Sequence, residues 1–157
     1  MKVSDLMSSP VITVRPGDSI AELLQIFKDR GVTGVPVVGT ADRLVGIVSR
    51  QDIVLEELRL LDGRPGGATE LDQILNGGFA TVSADGLKSH STPVEEIMTP
   101  AAKVLSCKRT TPITDACAVM ARNHVHRLPV LAGRKLVGIL TTFDVVRALA
   151  DGRIGSS

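Results

Sequence analysis

Hydrophobic and polar positions in the first half of the chain predict the order strand, helix, strand, strand, helix. The apolar run Val11–Val14 predicts a short strand, and apolar residues at helical spacing over Ile20–Phe27 predict a helix capped by Asp18 or Ser19. The β-branched runs GVPVV and LVGIVS, separated by a polar turn, predict two more strands. A second helix is expected from about Gln51.

The second half of the chain predicts the same order of elements. A strand is expected at Val104–Cys107, and a helix over Ile113–Met120 with Thr111 as its N-cap and Pro112 in its first turn. The runs RLPVL and LVGILT predict the next two strands. The last helix is expected from about Phe143.

Matching blocks make the chain a tandem repeat. VSDLM and VEEIM correspond near the start of each half, and Gly46 corresponds to Gly138. We divide the chain into a first repeat of residues 1–61, a linker of residues 62–92, a second repeat of residues 93–150 and a flexible tail of residues 151–157. One repeat alone buries too little surface to be stable, so the expected fold class is α/β with two packed β-α-β-β-α repeats.

The linker belongs to neither repeat. Within it, Thr69–Leu75 is expected to form one or two helical turns between glycine-rich stretches. The segment is interpreted either as a lid or partner surface, or as a plain connection.

Composition and charge exclude several classes of function. The net charge of +1 gives no basic field for a nucleic acid backbone, and a chain without Trp or Tyr lacks stacking platforms, so we expect no nucleic acid partner. Apolar runs stay below the roughly 18 residues of a membrane span. The N-terminus MKVSDLMSSP lacks the apolar middle of a signal peptide, so we expect no membrane partner and a cytoplasmic location.

Reactive side chains form no recognisable catalytic or metal set. Cys107 and Cys117 lack CxxC spacing and fit a reducing compartment. His124 and His126 form an H-x-H pair without an evident third ligand, so no metal site is expected. The sequence shows no nucleophile-base spacing, P-loop or dinucleotide fingerprint, so we expect neither an enzyme nor a cofactor.

A hydroxyl residue stands three positions before an aspartate at the end of a predicted strand in each half, as Ser49 with Asp52 and Thr141 with Asp144. This pattern is typical of a capping box, which needs no ligand. The same geometry could hold a nucleotide, because helix N-terminal amides favour phosphate and a carboxylate accepts the hydroxyls of a ribose. Recurrence at matching positions favours the nucleotide, but both interpretations stay open.

The blocks GVPVV, HRLPVL, LVGIVSRQD and LVGILTTFD, in order with VxxxM, resemble a tandem pair of CBS domains, the Bateman module. The resemblance covers both repeats and leaves out the linker. It implies two repeats packed about a pseudo-twofold axis, with two clefts in which many members bind AMP, ADP, ATP or S-adenosylmethionine. It also implies a regulatory role without catalysis, and a homodimer that forms a four-repeat disc.

The resemblance implies a main cleft around Asp52. Asp52 would take the ribose hydroxyls, with Ser49 near ribose or phosphate. From the opposite repeat, His126 and Arg127 would grip phosphate and Thr111 would point into the same cleft. The residues implied to line the base are Ile47, Ala116 and Val125.

The second cleft departs from the family pattern. Its implied residues are Asp18, Thr33, Gly34, Ile139, Thr141 and Asp144. Thr33 and Gly34 stand where the main cleft has His126 and Arg127, so the cationic clamp is missing, and the carboxylate of Asp18 opposes phosphate. We expect this cleft to be weak, empty, or suited to an uncharged or cationic adenosine ligand.

The sequence therefore predicts a regulatory module that binds an adenine nucleotide and acts in trans on an unknown protein target. Two alternatives remain: a ligand-free dimerisation scaffold, in which both capping boxes are only caps, and an S-adenosylmethionine sensor.

Overall fold

The computed structural model of the protein describes residues 1–61, 87 and 89–155. Within these residues lie four α-helices, which are α1 (Ile20–Arg30), α2 (Arg50–Leu61), α3 (Ile113–Asn123) and α4 (Thr142–Ala150). The strands are β1 (Gly34–Val38), β2 (Leu44–Ser49), β3 (Thr99–Pro100), β4 (Arg127–Ala132) and β5 (Lys135–Thr141). The expected α/β class is confirmed.

The strands form two sheets, with the orders β1-β2-β3 and β4-β5. β2 runs antiparallel to β3, with Gly46 opposite Pro100. β4 runs antiparallel to β5, from Arg127 opposite Thr141 to Ala132 opposite Lys135. Burial alternates along β2 and β5, as the period of two in LVGIVS and LVGILT requires.

The first strand of each repeat is shorter in the structure than the sequence predicts, so this prediction is wrong. Each contributes a single parallel bridge, from Val14 to Val37 in one repeat and from Cys107 to Val130 in the other. The amide of Val14 donates to the carbonyl of Pro36 at 3.1 Å. The next ladder bond towards the N-terminus would need an amide on that proline, which has none, so the pairing stops after one residue. Cys107 and Pro129 repeat this arrangement at 3.0 Å.

The chain falls into two compact units that do not follow the repeat boundaries. The first unit contains Thr13–Gly39 and Val45–Lys103, and the second contains Met1–Ile12, Thr40–Leu44 and Val104–Ser157. The opening segment of each repeat therefore packs with the strands and helices of the other repeat. In the second unit, this segment contributes Val3 and Leu6 to the same buried core as β4, β5 and α3.

In each unit, a methionine from the opening segment of one repeat packs on a strand glycine of the other repeat. A Cβ atom on Gly46 would lie 2.6 Å from Sδ of Met98, and one on Gly138 would lie 2.5 Å from Sδ of Met7. Only glycine leaves room for the thioether at these positions. The glycine and the methionine that recur in the sequence are therefore contact partners. In each pair, the glycine comes from one repeat and the methionine from the other.

Helix α1 begins at a capping box. Oγ of Ser19 accepts the amide of Glu22 at 3.2 Å, and Oε2 of Glu22 accepts the amide of Ser19 at 2.8 Å. The helix ends at Gly31, whose φ of 64° lies in the left-handed region. Helix α3 ends in the same conformation at His124, with a φ of 54°. Both helices bury the apolar stripe that the sequence predicts.

Residues 89–92 tie the two helices of the first unit together. The amides of Ile20 and Ala21, unpaired within α1 because they begin it, donate to carbonyls of this segment at 3.0 and 2.9 Å. Ser89 donates its amide at 2.8 Å and its hydroxyl to Oε1 of Glu57 on α2. Glu57 is only 5% exposed, so these bonds satisfy a carboxylate that has left solvent.

Two expectations concern the segments outside the repeats. The helix expected at Thr69–Leu75 lies outside the described residues. The flexibility of the tail stays a prediction; in the structure, Arg153 and Ile154 donate their amides to the carbonyl of Ala148 at 2.8 and 3.2 Å. The guanidinium of Arg153 also donates to the carbonyl of Asp5 at 2.9 Å.

Candidate functional site: two strand-to-helix junctions

In the first unit, the candidate residues Ser49 and Asp52 lie where β2 passes into α2. Oδ2 of Asp52 accepts the amide of Ser49 at 2.7 Å and its hydroxyl at 3.2 Å. Both side chains are half-buried. The aspartate thus reaches back from the first turn of the helix to the end of the strand, as the capping-box interpretation predicts.

In the second unit, Thr141 and Asp144 form the same junction between β5 and α4. Oδ2 of Asp144 accepts the amide of Thr141 at 2.8 Å and its hydroxyl at 2.7 Å. Oγ1 of Thr141 in turn accepts the amide of Asp144 at 3.2 Å, which completes a reciprocal capping box. Within the part of the chain that the structure describes, Oδ1 of Asp144 has no hydrogen-bond partner. One carboxylate oxygen is therefore committed to the fold and the other is available.

The pair His126 and Arg127 lies beside the junction of its own unit. The amide of Thr142, the first residue of α4, donates to the carbonyl of His126 at 3.0 Å. Arg127 opens β4 directly opposite Thr141 in the sheet register. The side chain of His126 is exposed and that of Arg127 is half-buried. A basic pair thus stands next to the start of a helix, where the helix dipole is also positive.

The matching position in the first unit has the same backbone contact but other side chains. The amide of Arg50, which begins α2, donates to the carbonyl of Thr33 at 2.9 Å. Gly34, the next residue, begins β1 and carries no side chain. Thr33 is exposed and offers no positive charge. The two junctions therefore share a backbone frame and differ in electrostatics.

Thr111 is not the N-cap of α3, contrary to the prediction. The N-cap is Pro112, which has no side-chain hydrogen bond. Oγ1 of Thr111 instead accepts the amide of Lys108 at 3.0 Å, while the amide of Thr111 donates back to the carbonyl of Lys108 at 3.1 Å. The hydroxyl therefore closes the turn before the helix. In the first turn, the amide of Ile113 donates to the carbonyl of Met1 at 3.1 Å instead.

Asp18 closes the matching turn in the first unit. Its Oδ2 accepts the amide of Arg15 at 2.8 Å, and its own amide donates to the carbonyl of Arg15 at 3.1 Å. Asp18 and Thr111 therefore have the same structural role, although one side chain is charged and the other is neutral.

The remaining predicted residues fall in separate units. Ile47 lies on β2 and Ile139 on β5, each half-buried and two positions before the junction hydroxyl, on the same face of its strand. Ala116 is buried in α3, and Val125 lies between α3 and β4. The main cleft combines Ile47, Ser49 and Asp52 of the first unit with residues of the second, so its assembly stays a prediction.

The two thiols are ill suited to redox or nucleophilic chemistry. Burial raises the pKa of the Cys107 thiol to about 11, and it also raises the pKa of Cys117. Both are free cysteines.

Across residues 1–61, 87 and 89–155, no three His, Cys, Asp or Glu side chains cluster as a metal site. None of the described helices combines the length and apolarity that a membrane crossing requires.

Comparison with known protein families assigns this architecture. The model of one family, the CBS domain, matches residues 3–58 and 94–151. The chain belongs to the CBS domain family. The two matched ranges are the two repeats, so the resemblance noted from the sequence blocks is confirmed, and the α/β class agrees with it.

Several relatives match this CBS domain protein over nearly its whole length. Protein MJ1426 of Methanocaldococcus jannaschii, itself uncharacterized, is 31% identical over 156 residues, which are 95% of this chain and 91% of the relative. The chloroplastic CBS domain-containing protein CBSX2 of Arabidopsis thaliana is 32% identical over 139 residues, or 86% of this chain. The match spans 57% of the length of CBSX2.

Solved structures of CBS domain proteins share the fold. The crystal structure of CBSX2 in complex with AMP has a TM-score of 0.69 and 30% identity, covering 97% of this chain and 98% of that one. The CBS domain pair of protein MJ0100, in complex with 5-methylthioadenosine and S-adenosyl-L-methionine, has a TM-score of 0.67 and 23% identity. It covers 96% of this chain and 97% of that one.

Proposed function

We propose that the protein is a regulatory module that binds an adenine nucleotide at its strand-to-helix junctions. The observation that carries this proposal is the junction carboxylate of Asp52, whose Oδ2 is held by the amide and the hydroxyl of Ser49 at the start of α2. A carboxylate fixed in this way can accept ribose hydroxyls without further ordering. A relative at 30% identity whose structure contains AMP supports the same ligand class.

The main site is proposed at Asp52 and the weaker one at Asp144. The proposed phosphate ligands of the main site are His126 and Arg127, which the family pattern implies are supplied by the opposite repeat. Within their own unit these two residues lie beside the start of α4. At the corresponding positions the weaker site is proposed to have Thr33 and Gly34, which carry no positive charge, and Asp18, which is an acid. The difference in charge favours a phosphorylated ligand at the first site and disfavours it at the second.

The proposed module also pairs into a homodimer and acts in trans on a separate protein target. Apolar side chains on the outer faces of two helices support an interface: Leu55 and Leu58 on α2 are 56% and 47% exposed, and Phe143 and Leu149 on α4 are both 61% exposed. The module regulates without catalysis in this proposal, and the two free cysteines suit the cytoplasm. Sedimentation as a monomer at micromolar concentration would contradict the dimer.

Thermal unfolding with AMP, ADP, ATP, S-adenosylmethionine and GTP tests the ligand class. A ligand at about 100 times its dissociation constant adds roughly 2.7 kcal/mol of stability. We expect such a stabilisation with an adenine nucleotide for the wild type, and its loss in Asp52→Ala.

Asp144→Ala is the matched control, because it removes the same kind of helix cap from the other repeat. It should unfold at a temperature similar to that of Asp52→Ala without ligand, and should keep the response to nucleotide. Equal loss in both variants would contradict the unequal sites. A response to S-adenosylmethionine alone would favour the sensor of that ligand, and no response to any ligand would leave the dimerisation scaffold.

A further inference from the structure

The helical face of the second repeat contains an apolar groove. A cavity of about 380 Å³ opens between α3 and α4, and its walls include Cys117 and Ala121 from α3 and Val145 and Val146 from α4. This volume lies within the range of roughly 300–1,000 Å³ that small-molecule pockets occupy, so the groove has room for more than one apolar side chain. Covering it with apolar side chains would remove its walls from water, which is favourable.

The helical face of the first repeat has larger side chains at the matching positions. The matched pairs, with the first repeat named first, are Leu24 with Cys117 and Ile53 with Val145. In the first repeat these two residues are buried, at 1% and 0% exposure. On the same helix as Ile53, Leu55 and Leu58 are 56% and 47% exposed. One repeat therefore presents a groove, and the other presents exposed leucines of the kind that would fill it.

The two units also differ in net charge. Over the described residues and with histidine neutral, the second unit has ten Lys and Arg against five Asp, which gives +5. The first unit has six Lys and Arg against eight Asp and Glu, which gives −2. Pairing of like units would bring two positive units together, whereas head-to-tail pairing brings units of opposite charge together. Opposite charge speeds the encounter of two surfaces and selects their orientation.

We propose that two copies of the chain pair head to tail, with Leu55 and Leu58 of one copy packed in the groove between α3 and α4 of the other. The inference rests on the proposed homodimer and assigns its contact surfaces and orientation. In a twofold dimer the contact occurs twice, because each copy supplies one pair of leucines and one groove. Asp52, the proposed ribose ligand, lies on the same helix as both leucines. A ligand that shifts α2 would therefore change the affinity between copies.

Mixing two complementary variants tests the orientation by sedimentation of the full chain. Leu55→Gln with Leu58→Gln removes the leucines and keeps the groove, whereas Cys117→Leu with Val145→Ile fills the groove and keeps the leucines. Each variant alone should dimerise at least about tenfold more weakly than the wild type, because both contacts are lost. An equimolar mixture, with a fluorescent label on one variant, should form a heterodimer. In it, the leucines of the filled variant meet the open groove of the other variant, so one contact is intact.

The matched control is Leu105→Gln, which makes the same change at a leucine that is 39% exposed and lies outside the four helices. It should dimerise as the wild type does. Circular dichroism should show that all variants are folded, because Leu55 and Leu58 are exposed and the filled variant carries the residues of the first repeat.

Salt dependence gives a second test, which needs no variant. Raising the NaCl concentration from about 0.1 to 1 M shortens the Debye length from roughly 10 to 3 Å. We expect the dissociation constant of the wild-type dimer to rise by at least about threefold over this range, because the attraction between units of opposite charge is screened.

The outcomes separate this inference from the proposed function. A dimeric wild type whose two variants fail to form a heterodimer would overturn the head-to-tail contact and leave the proposed homodimer in place. Affinity that increases with salt would mean that units of like charge meet, and would overturn it as well. A monomeric wild type would contradict the proposed homodimer and this inference with it.

Discussion

The helix pair α1–α2 of the first repeat and the pair α3–α4 of the second begin with the same sequence pattern and end with different surfaces. In the first pair, Leu24 and Ile53 are buried, and Glu57 is covered by its bonds to Ser89. In the second pair, the residue matching Glu57 is Leu149, which is 61% exposed. The repeat preserves the backbone frame, and its outer helical surface is free to acquire separate functions.

The largest expected difference is in the free energy of unfolding lost when the matching residues Leu24 and Cys117 are each replaced by alanine. Leu24→Ala removes a side chain that is 1% exposed, so the free energy of unfolding should fall by about 2–5 kcal/mol. Cys117→Ala removes a half-buried sulfur that already lines a cavity between α3 and α4, so it should cost less than about 1 kcal/mol. Urea denaturation of both variants measures the difference. Equal costs would mean that the two helix pairs are packed alike.

The next effect compares the two strand glycines. A Cβ atom on Gly46 would meet the backbone oxygen of Thr99 at 2.6 Å as well as Met98, whereas the three atoms nearest to one on Gly138 all belong to the flexible side chain of Met7. Gly46→Ala should therefore cost about 1–3 kcal/mol, and Gly138→Ala should cost less.

Trimming the methionine sharpens this test of the glycines. Met7→Ala should offset the cost of Gly138→Ala in a double-mutant cycle followed by urea denaturation, because it removes the crowding atoms. Additive costs in that cycle would contradict the contact.

The smallest effect concerns the bridge residues Val14 and Cys107. Burial raises the pKa of Cys107 from 9.0 to about 11, so the folded state holds this proton more tightly than the unfolded chain. The resulting stability is fully present below about pH 9 and is lost as the pH rises towards 11. Cys107→Val, which introduces the residue of the first repeat, should flatten this part of the profile of unfolding temperature against pH.

Local patterns were sufficient for much of the fold. The tandem repeat, the four helices of the described region and the capping box at Thr141 follow from spacing and from residue type within a few positions. These features depend on contacts along one helix or across one turn, where sequence neighbours are also spatial neighbours. The assignment to the CBS domain family rests on the same blocks.

Features that depend on distant contacts could not be predicted. The first strands shrink to one bridge because Pro36 and Pro129 lie on the partner strand. The wrong cap at Thr111 is a local error of another kind, because its hydroxyl bonds to the amide of Lys108 in the preceding turn and the pattern fits either partner.

Because the opening segment of each repeat packs in the unit of the other repeat, the protein cannot be divided simply between its repeats. A fragment that ends at Leu61 would carry Met7 away from Gly138 and leave Gly46 without Met98. Neither half of the gene therefore encodes a complete structural unit, even though each half encodes a complete repeat. Cuts near Ile12 and Lys103 would follow most of the unit boundaries but would still leave Thr40–Leu44 with the other unit. A single repeat on its own would need a second copy to supply its missing opening segment.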